Sequence, residues 1–94
     1  VRLVGREHLS AFCEKHTDCA GWIQSWVAEI ERATWKSPAE LKSRYPSASL
    51  LTEKVVIFNV KGTRYRLATR VAFSAGVVFI DWIGTHAEYD RKKF

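Results

Sequence analysis

No apolar run in this sequence approaches the ~20 residues needed to cross a bilayer. Its first residues, Val1-Arg2-Leu3-Val4-Gly5-Arg6, lack the layout of a secretory signal. The cytoplasm is therefore the expected location, with no membrane partner. Cysteine is scarce: Cys13 and Cys19 lie six apart in a stretch of helical texture and offer no disulfide framework. With His8 and His16 they make four potential zinc ligands, but the spacing of ordinary zinc sites is absent. Cys13 and His16 fit the buried stripe of a helix instead. The sequence also lacks a glycine-rich phosphate loop, a Ser/His/Asp set and a carboxylate cluster suited to Mg²⁺. Any phosphoryl chemistry here is expected to run without a metal or other cofactor.

What remains is a chain of 94 residues, expected to form one domain over 1–94, since so short a chain cannot divide its apolar residues between two cores. Twelve aromatics, four of them Trp, supply buried area without disulfide support. The net charge of +5 is unevenly placed. Residues 1–33 carry four Lys/Arg against five Asp/Glu, whereas residues 34–94 carry eleven against five. The basic excess lies wholly in the second part. An anionic partner such as nucleic acid and a merely solvated basic surface both fit that asymmetry.

Periodicity divides the chain. Val1–Val4 reads as a short edge strand. From Arg6 to about His16, residues Leu9, Phe12, Cys13 and His16 follow the helical period. From Asp18 to Ala33, residues Trp22, Ile23, Trp26, Val27 and Ile30 do the same, with Asp18 or Thr17 as the cap. Ser37-Pro38-Ala39-Glu40 has the residues of a capping box, opening a short helix that Pro46 limits to about Arg44. Residues 47–54 read as a loop. Thereafter the texture is β: Val55–Val60, a Lys61-Gly62-Thr63 turn, Tyr65–Phe73, a Ser74-Ala75-Gly76 turn, and Val77–Ile83 ended by Gly84. The expected fold is α+β in the order β-α-α-β-β-β. A helical hairpin covers one face of an antiparallel sheet, and a short helical turn stands near the C-terminus.

Two constellations carry candidate chemistry. Arg64, Arg66 and Arg70 share parity, which predicts one solvent-facing row opposite Tyr65, Leu67, Val71 and Phe73. Such a row suits phosphates, which guanidinium groups hold bidentately, although a solvated face with scattered ion pairs has the same parity. The second is Thr85-His86-Ala87-Glu88-Tyr89-Asp90, following a strand end. His86 titrates near neutrality, with a reference pKa of about 6.5, and Tyr89 stands one helical turn on. Lys61, Lys36, Lys92 and Lys93 extend the positive surface.

Several segments, in order, closely resemble HigB-type toxins of the RelE/ParE superfamily. They are Trp35-Lys36-Ser37-Pro38-Ala39-Glu40-Leu41-Lys42, Tyr45-Pro46-Ser47-Ala48, Val56-Ile57-Phe58-Asn59-Val60-Lys61-Gly62, Tyr65-Arg66-Leu67-Ala68 and Thr85-His86-Ala87-Glu88-Tyr89-Asp90. The resemblance implies a RelE-like fold with an RNA-binding concavity opposite the helical hairpin. It also implies a type II toxin that cuts mRNA in the ribosomal A site, against 16S rRNA, by attack of the ribose 2′-OH. A HigA-like antitoxin, often with a helix-turn-helix domain, would neutralise it. On this pattern Arg66 meets transition-state charge with Arg64 and Arg70 in support, His86 is the acid or base, and Tyr89 assists in proton transfer or stacking. Where RelE-like toxins carry two lysines on the preceding strand, this sequence has Ile57 and Asn59. That shifts proton transfer to His86, with Lys61 near. A ParE-like toxin acting on DNA gyrase and a non-catalytic RNA- or antitoxin-binding module are the competing readings.

Overall fold

A computed structural model describes residues 1–92. The chain runs β1 (Arg2–Val4), α1 (Arg6–Lys15), a 3₁₀ turn (Thr17–Cys19), α2 (Ala20–Arg32), α3 (Pro38–Arg44) and β2 (Ser49–Leu50). It continues through β3 (Val55–Val60), β4 (Tyr65–Ala72), β5 (Val77–Thr85) and α4 (His86–Arg91). The five strands form one sheet in the order β1-β5-β4-β3-β2. β3, β4 and β5 are the expected antiparallel meander, whereas β1 pairs in parallel with β5, so the sheet is mixed. Among the described residues no helix is long and apolar enough to cross a membrane.

The apolar stripes of α1 and α2 are buried on one sheet face. Leu9, Ile23, Trp26 and Ile30 pack with Val56, Phe58, Val60, Leu67, Val71 and Val78. Aromatic edges lock the layers: Phe58 takes the Trp26 ring at 5.3 Å and the Tyr45 ring at 5.2 Å, both edge-on. Thr69, a buried polar side chain between the core positions of β4, donates its hydroxyl to the Val56 carbonyl at 2.8 Å. Its burial is thereby satisfied. Cys19 lies fully within this core, where burial pushes its thiol up to about 11.

Several local expectations change for tertiary reasons. Neither Thr17 nor Asp18 caps α2, which starts at Ala20 after the 3₁₀ turn. The Asp18 carboxylate is held by groups from the β3–β4 hairpin instead. At α3 the Ser37 hydroxyl accepts from the Glu40 amide at 3.2 Å as a cap should, but the Glu40 carboxylate accepts from Lys36 N–H, one residue further back. The loop 47–54 contains β2, which adds to β3 through Ser49–Ile57 and Leu50–Val56. β5 passes through Gly84 to Thr85 and is not ended there.

The ladder between β4 and β5 holds one irregularity. Ala68 faces Trp82 and Thr69 faces Ile80, so Asp81 is an extra residue. This bulge resets the alternation of β5. Val78 and Ile80 lie in the core, while beyond it Trp82 and Gly84 stand on the face of their partners Ala68 and Arg66.

The chain turns from β1 into α1 at Gly5, whose φ is +92°. A Cβ there would lie 2.8 Å from the Ile80 carbonyl oxygen, whereas at Gly62, with φ +71°, it would meet nothing within 4 Å. Gly62→Ala should therefore cost only the left-handed conformation, about 1–2 kcal/mol. Gly5→Ala should cost clearly more, since backbone cannot yield as a side chain can. Urea-unfolding midpoints of the two variants test the order, and a smaller loss at Gly5 would contradict it.

Candidate functional site

Opposite the helical hairpin the sheet presents a face built from β3, β4, β5 and α4. Arg66 sits on β4 between Asn59 of β3 and Gly84 of β5. Its guanidinium lies over the Tyr89 ring, 4.7 Å from the centre. Its Nε is buried with no hydrogen-bond acceptor. An unsatisfied buried donor is costly, on the order of 1–3 kcal/mol, and such groups mark places where the fold is not optimised for stability alone. The ring beneath compensates in part by cation–π attraction.

Tyr89 is brought there by α4, whose start is sharply defined. The Thr85 hydroxyl accepts from the Glu88 amide at 3.2 Å, and the Glu88 carboxylate accepts from the Thr85 amide at 2.8 Å. That backbone bond holds the Glu88 carboxyl below the usual carboxylate range. The reciprocal cap sets His86 as the first residue of the helix and Tyr89 one turn later. The His86 Nδ1 stands 3.4 Å from the Asp90 carboxylate, four residues on, and the imidazole is partly exposed.

Beside Tyr89 lies Trp82, with ring centres 6.2 Å apart, and the Lys92 ammonium stands 5.7 Å from the indole centre. Gly84 makes this arrangement possible. A Cβ at Gly84 would lie 2.4 Å from Trp82 Cζ2, so the indole rests directly on the strand. Arg66, Tyr89, Trp82 and Lys92 thus form a series of two adjoining rings with a cation at either end.

The row of three arginines is not one row. Arg64 precedes β4, and its Nη1 meets the Asp18 carboxylate at 2.7 Å. The Tyr65 hydroxyl donates to the other oxygen of Asp18 at 2.7 Å, and Lys61 Nζ donates to the Asp18 carbonyl at 2.7 Å. Arg64 and Lys61 are thereby drawn toward the helical side. The hydrogen bond from Tyr65 holds the Asp18 carboxyl below its usual range, with Arg64 and Lys61 acting in the same sense; it also pushes the Tyr65 hydroxyl up. Arg70 is on the open face but makes a two-pronged contact with Asp81, Nε at 2.8 Å and Nη2 at 3.1 Å. Its guanidinium stands 5.2 Å from the Phe79 ring centre. Lys36 lies apart, in a groove it shares with Arg70. Lys93 falls outside the described residues.

Sequence reasoning named Arg66, His86 and Tyr89 as candidates and passed over six positions that shape this face: Thr85, Glu88, Asp18, Asp81, Trp82 and Gly84. The Thr85-x-x-Glu88 spacing is a visible capping signal, and it went unread. Asp18 and Asp81 left no signal: one lies 46 residues from Arg64, and the other meets Arg70 only because β4 and β5 pair in this register. The Gly84–Trp82 contact depends on the path of the strand in the same way.

The HigB toxin family, described as the RelE-like toxic component of a toxin–antitoxin system, matches residues 19–92. The mRNA interferase toxin HigB of Escherichia coli (strain K12) is 27% identical over 92 residues, spanning 96% of this chain and 88% of that protein. The mRNA interferases HigB of Escherichia coli O157:H7 and of Shigella flexneri match over the same shares at 27% identity.

Two outcomes follow from this geometry. Since the folded pKa of Asp18 is depressed, its contribution to stability is present above the unfolded value of about 3.9 and is lost as pH falls through the folded value. Asp18→Asn should lower the thermal midpoint at neutral pH, and the difference from the parent should close as the pH is taken below the unfolded value. A constant offset at every pH would contradict this. Gly84→Ala should expel the Trp82 indole, read as a changed near-ultraviolet dichroism of a still folded protein. An unaltered spectrum would contradict the contact.

Proposed function

Because this chain belongs to the HigB toxin family of RelE-like toxic components, we propose that it is a ribosome-dependent endoribonuclease that stops translation by cutting mRNA in the A site. Its partner as a member of a toxin–antitoxin pair is an antitoxin; we assign that role to a HigA-like protein with a helix-turn-helix domain. The observation that carries the reading is Arg66 laid on Tyr89 with a donor unsatisfied, beside the helix that His86 begins.

The reaction needs no metal. The ribose 2′-OH loses a proton and its oxygen attacks the adjacent phosphorus. The bond from phosphorus to the 5′-oxygen of the next nucleotide breaks, and that oxygen takes up a proton. A 2′,3′-cyclic phosphate and a free 5′-hydroxyl result. Arg66 offers its guanidinium to the oxygens that gain charge in the phosphorane, which is worth most where the donor is already oriented. The Tyr89 ring supplies that orientation from behind. His86 moves a proton, either from the 2′-OH or to the leaving oxygen, and Asp90 at 3.4 Å orients the imidazole.

The remaining cations act at a distance. Arg70, with Nε and Nη2 engaged on Asp81, has Nη1 to offer a phosphate further along the strand. Arg64 and Lys61, tied to Asp18, contribute field more than contact. Lys92, Lys36 and Lys93 serve the flanking backbone of mRNA or 16S rRNA.

In purified bacterial translation with a mapped reporter mRNA, wild-type protein should produce new 5′ ends only when ribosomes are present. His86→Ala should slow cutting by roughly 10²–10⁴, and Arg66→Ala by roughly 10²–10³. Intact mRNA accompanied by altered DNA supercoiling would replace this reading with a gyrase-directed one. Full cutting by both His86→Ala and Tyr89→Ala would remove their assigned roles.

A further inference from the structure

At the far end of β4 from Tyr89 the open face runs into a groove of about 680 Å³. That is within the range of small-ligand sites, roughly 300–1,000 Å³. Its walls come from three places: Lys36 and Pro38 before and at the start of α3, Glu53 and Lys54 from the β2–β3 loop, and Arg70 to Ser74 with Phe79 from β4 and β5. Arg70 belongs both to this groove and to the face that carries Arg66. We propose that the groove holds a further nucleotide of the same RNA strand whose phosphate meets Arg66, with Lys36 and Lys54 on its phosphates and Phe79 and Phe73 against its base. The inference rests on the function proposed above.

Three observations support it. The first is distance: four residues of strand separate Arg66 from Arg70, about 13 Å at ~3.3 Å per residue. A single strand laid along β4 from Arg66 therefore enters the groove within a few nucleotides. The second is charge. Lys36 and Lys54 are exposed, and neither joins any salt bridge among the described residues. Glu53 opposes them, and Asp81 neutralises Arg70. The surplus is small, so phosphate attraction alone would be weak.

The third observation supplies what charge lacks. Two phenyl rings, Phe73 and Phe79, line the groove, and single-stranded nucleic acids are held where cations track the backbone and rings meet the bases. The Arg70 guanidinium already lies against Phe79. A base entering here meets a surface that is part ring and part guanidinium, the kind of platform that accepts any base without reading its edge.

Lys54 tests the groove apart from the centre of the reaction. Its side chain is exposed, and its structural bonds are made by its backbone whatever the side chain: its carbonyl accepts from the Val71 amide at 2.7 Å and its amide donates to the Thr52 hydroxyl at 3.1 Å. Cleavage of ribosome-bound reporter mRNA would be followed against mRNA and salt concentration for wild type, Lys54→Glu and Lys54→Arg. The expectation is an mRNA requirement raised about tenfold in Lys54→Glu, a salt slope reduced by about one or more, and near wild-type behaviour in Lys54→Arg. Wild-type cutting with an equally active Lys54→Glu of unchanged salt slope would overturn the groove alone. Should that variant also escape its antitoxin, the groove would belong to a protein partner, and the proposal would fall. A wild type that cuts nothing would remove the function and this inference together.

Discussion

The pairing of β4 with β5, and the extra residue Asp81 within it, governs what the open face can present. Without the bulge, strict alternation along β5 would place Ile80 and Trp82 on the same side. With it, Ile80 stays in the core while Trp82 and Gly84 join Arg66. Asp81 itself keeps the side of Phe79, where its carboxylate meets Arg70. β4 divides its faces as well: Leu67, Thr69 and Val71 are buried on one side, and Arg66 and Arg70 stand opposite, with the small Ala68 covered between them. A register slip of one residue would carry two arginines into the core, so the hydrophobic pattern and the basic face enforce each other.

Charge compensation then sorts the arginines. Arg64 and Arg70 each have a carboxylate partner, and Arg66 has a ring. A ring attracts a guanidinium but does not neutralise it. Of the three, Arg66 is therefore the one whose charge an incoming phosphate meets least compensated. Asp18 also ties the β3–β4 turn to the 3₁₀ turn between the helices, so the clasp that withdraws Arg64 joins the two layers.

The face proposed to act on RNA is a surface extended by a groove, which suits a polymer better than a small metabolite. A polymer needs contacts spread along its backbone and one point where geometry is exact enough for chemistry. Arg66, Tyr89 and the capped start of α4 form the ordered point, with His86 as its first helical residue. The lysines and Arg70 are spread to either side of it.

The sequence by itself determined the elements and most of the core. The stripes of Leu9 to His16 and Trp22 to Ile30, the apolar run Val55–Val60 and the Ser37-Pro38 start are local patterns, set by periods of 3.6 and 2 within one segment. His86, Tyr89 and Arg66 stood out as candidates because their residue types and neighbours are unusual in a short stretch. Tertiary structure alone decided the parallel placement of β1, the partners of Arg64 and Arg70, the seat of Trp82 on Gly84 and the groove beside Lys54. Each of these joins residues far apart in the chain or depends on one inserted residue in a strand. Periodicity reports which side of its own element a residue occupies. It carries no information about which carboxylate, ring or strand the rest of the fold brings to that side.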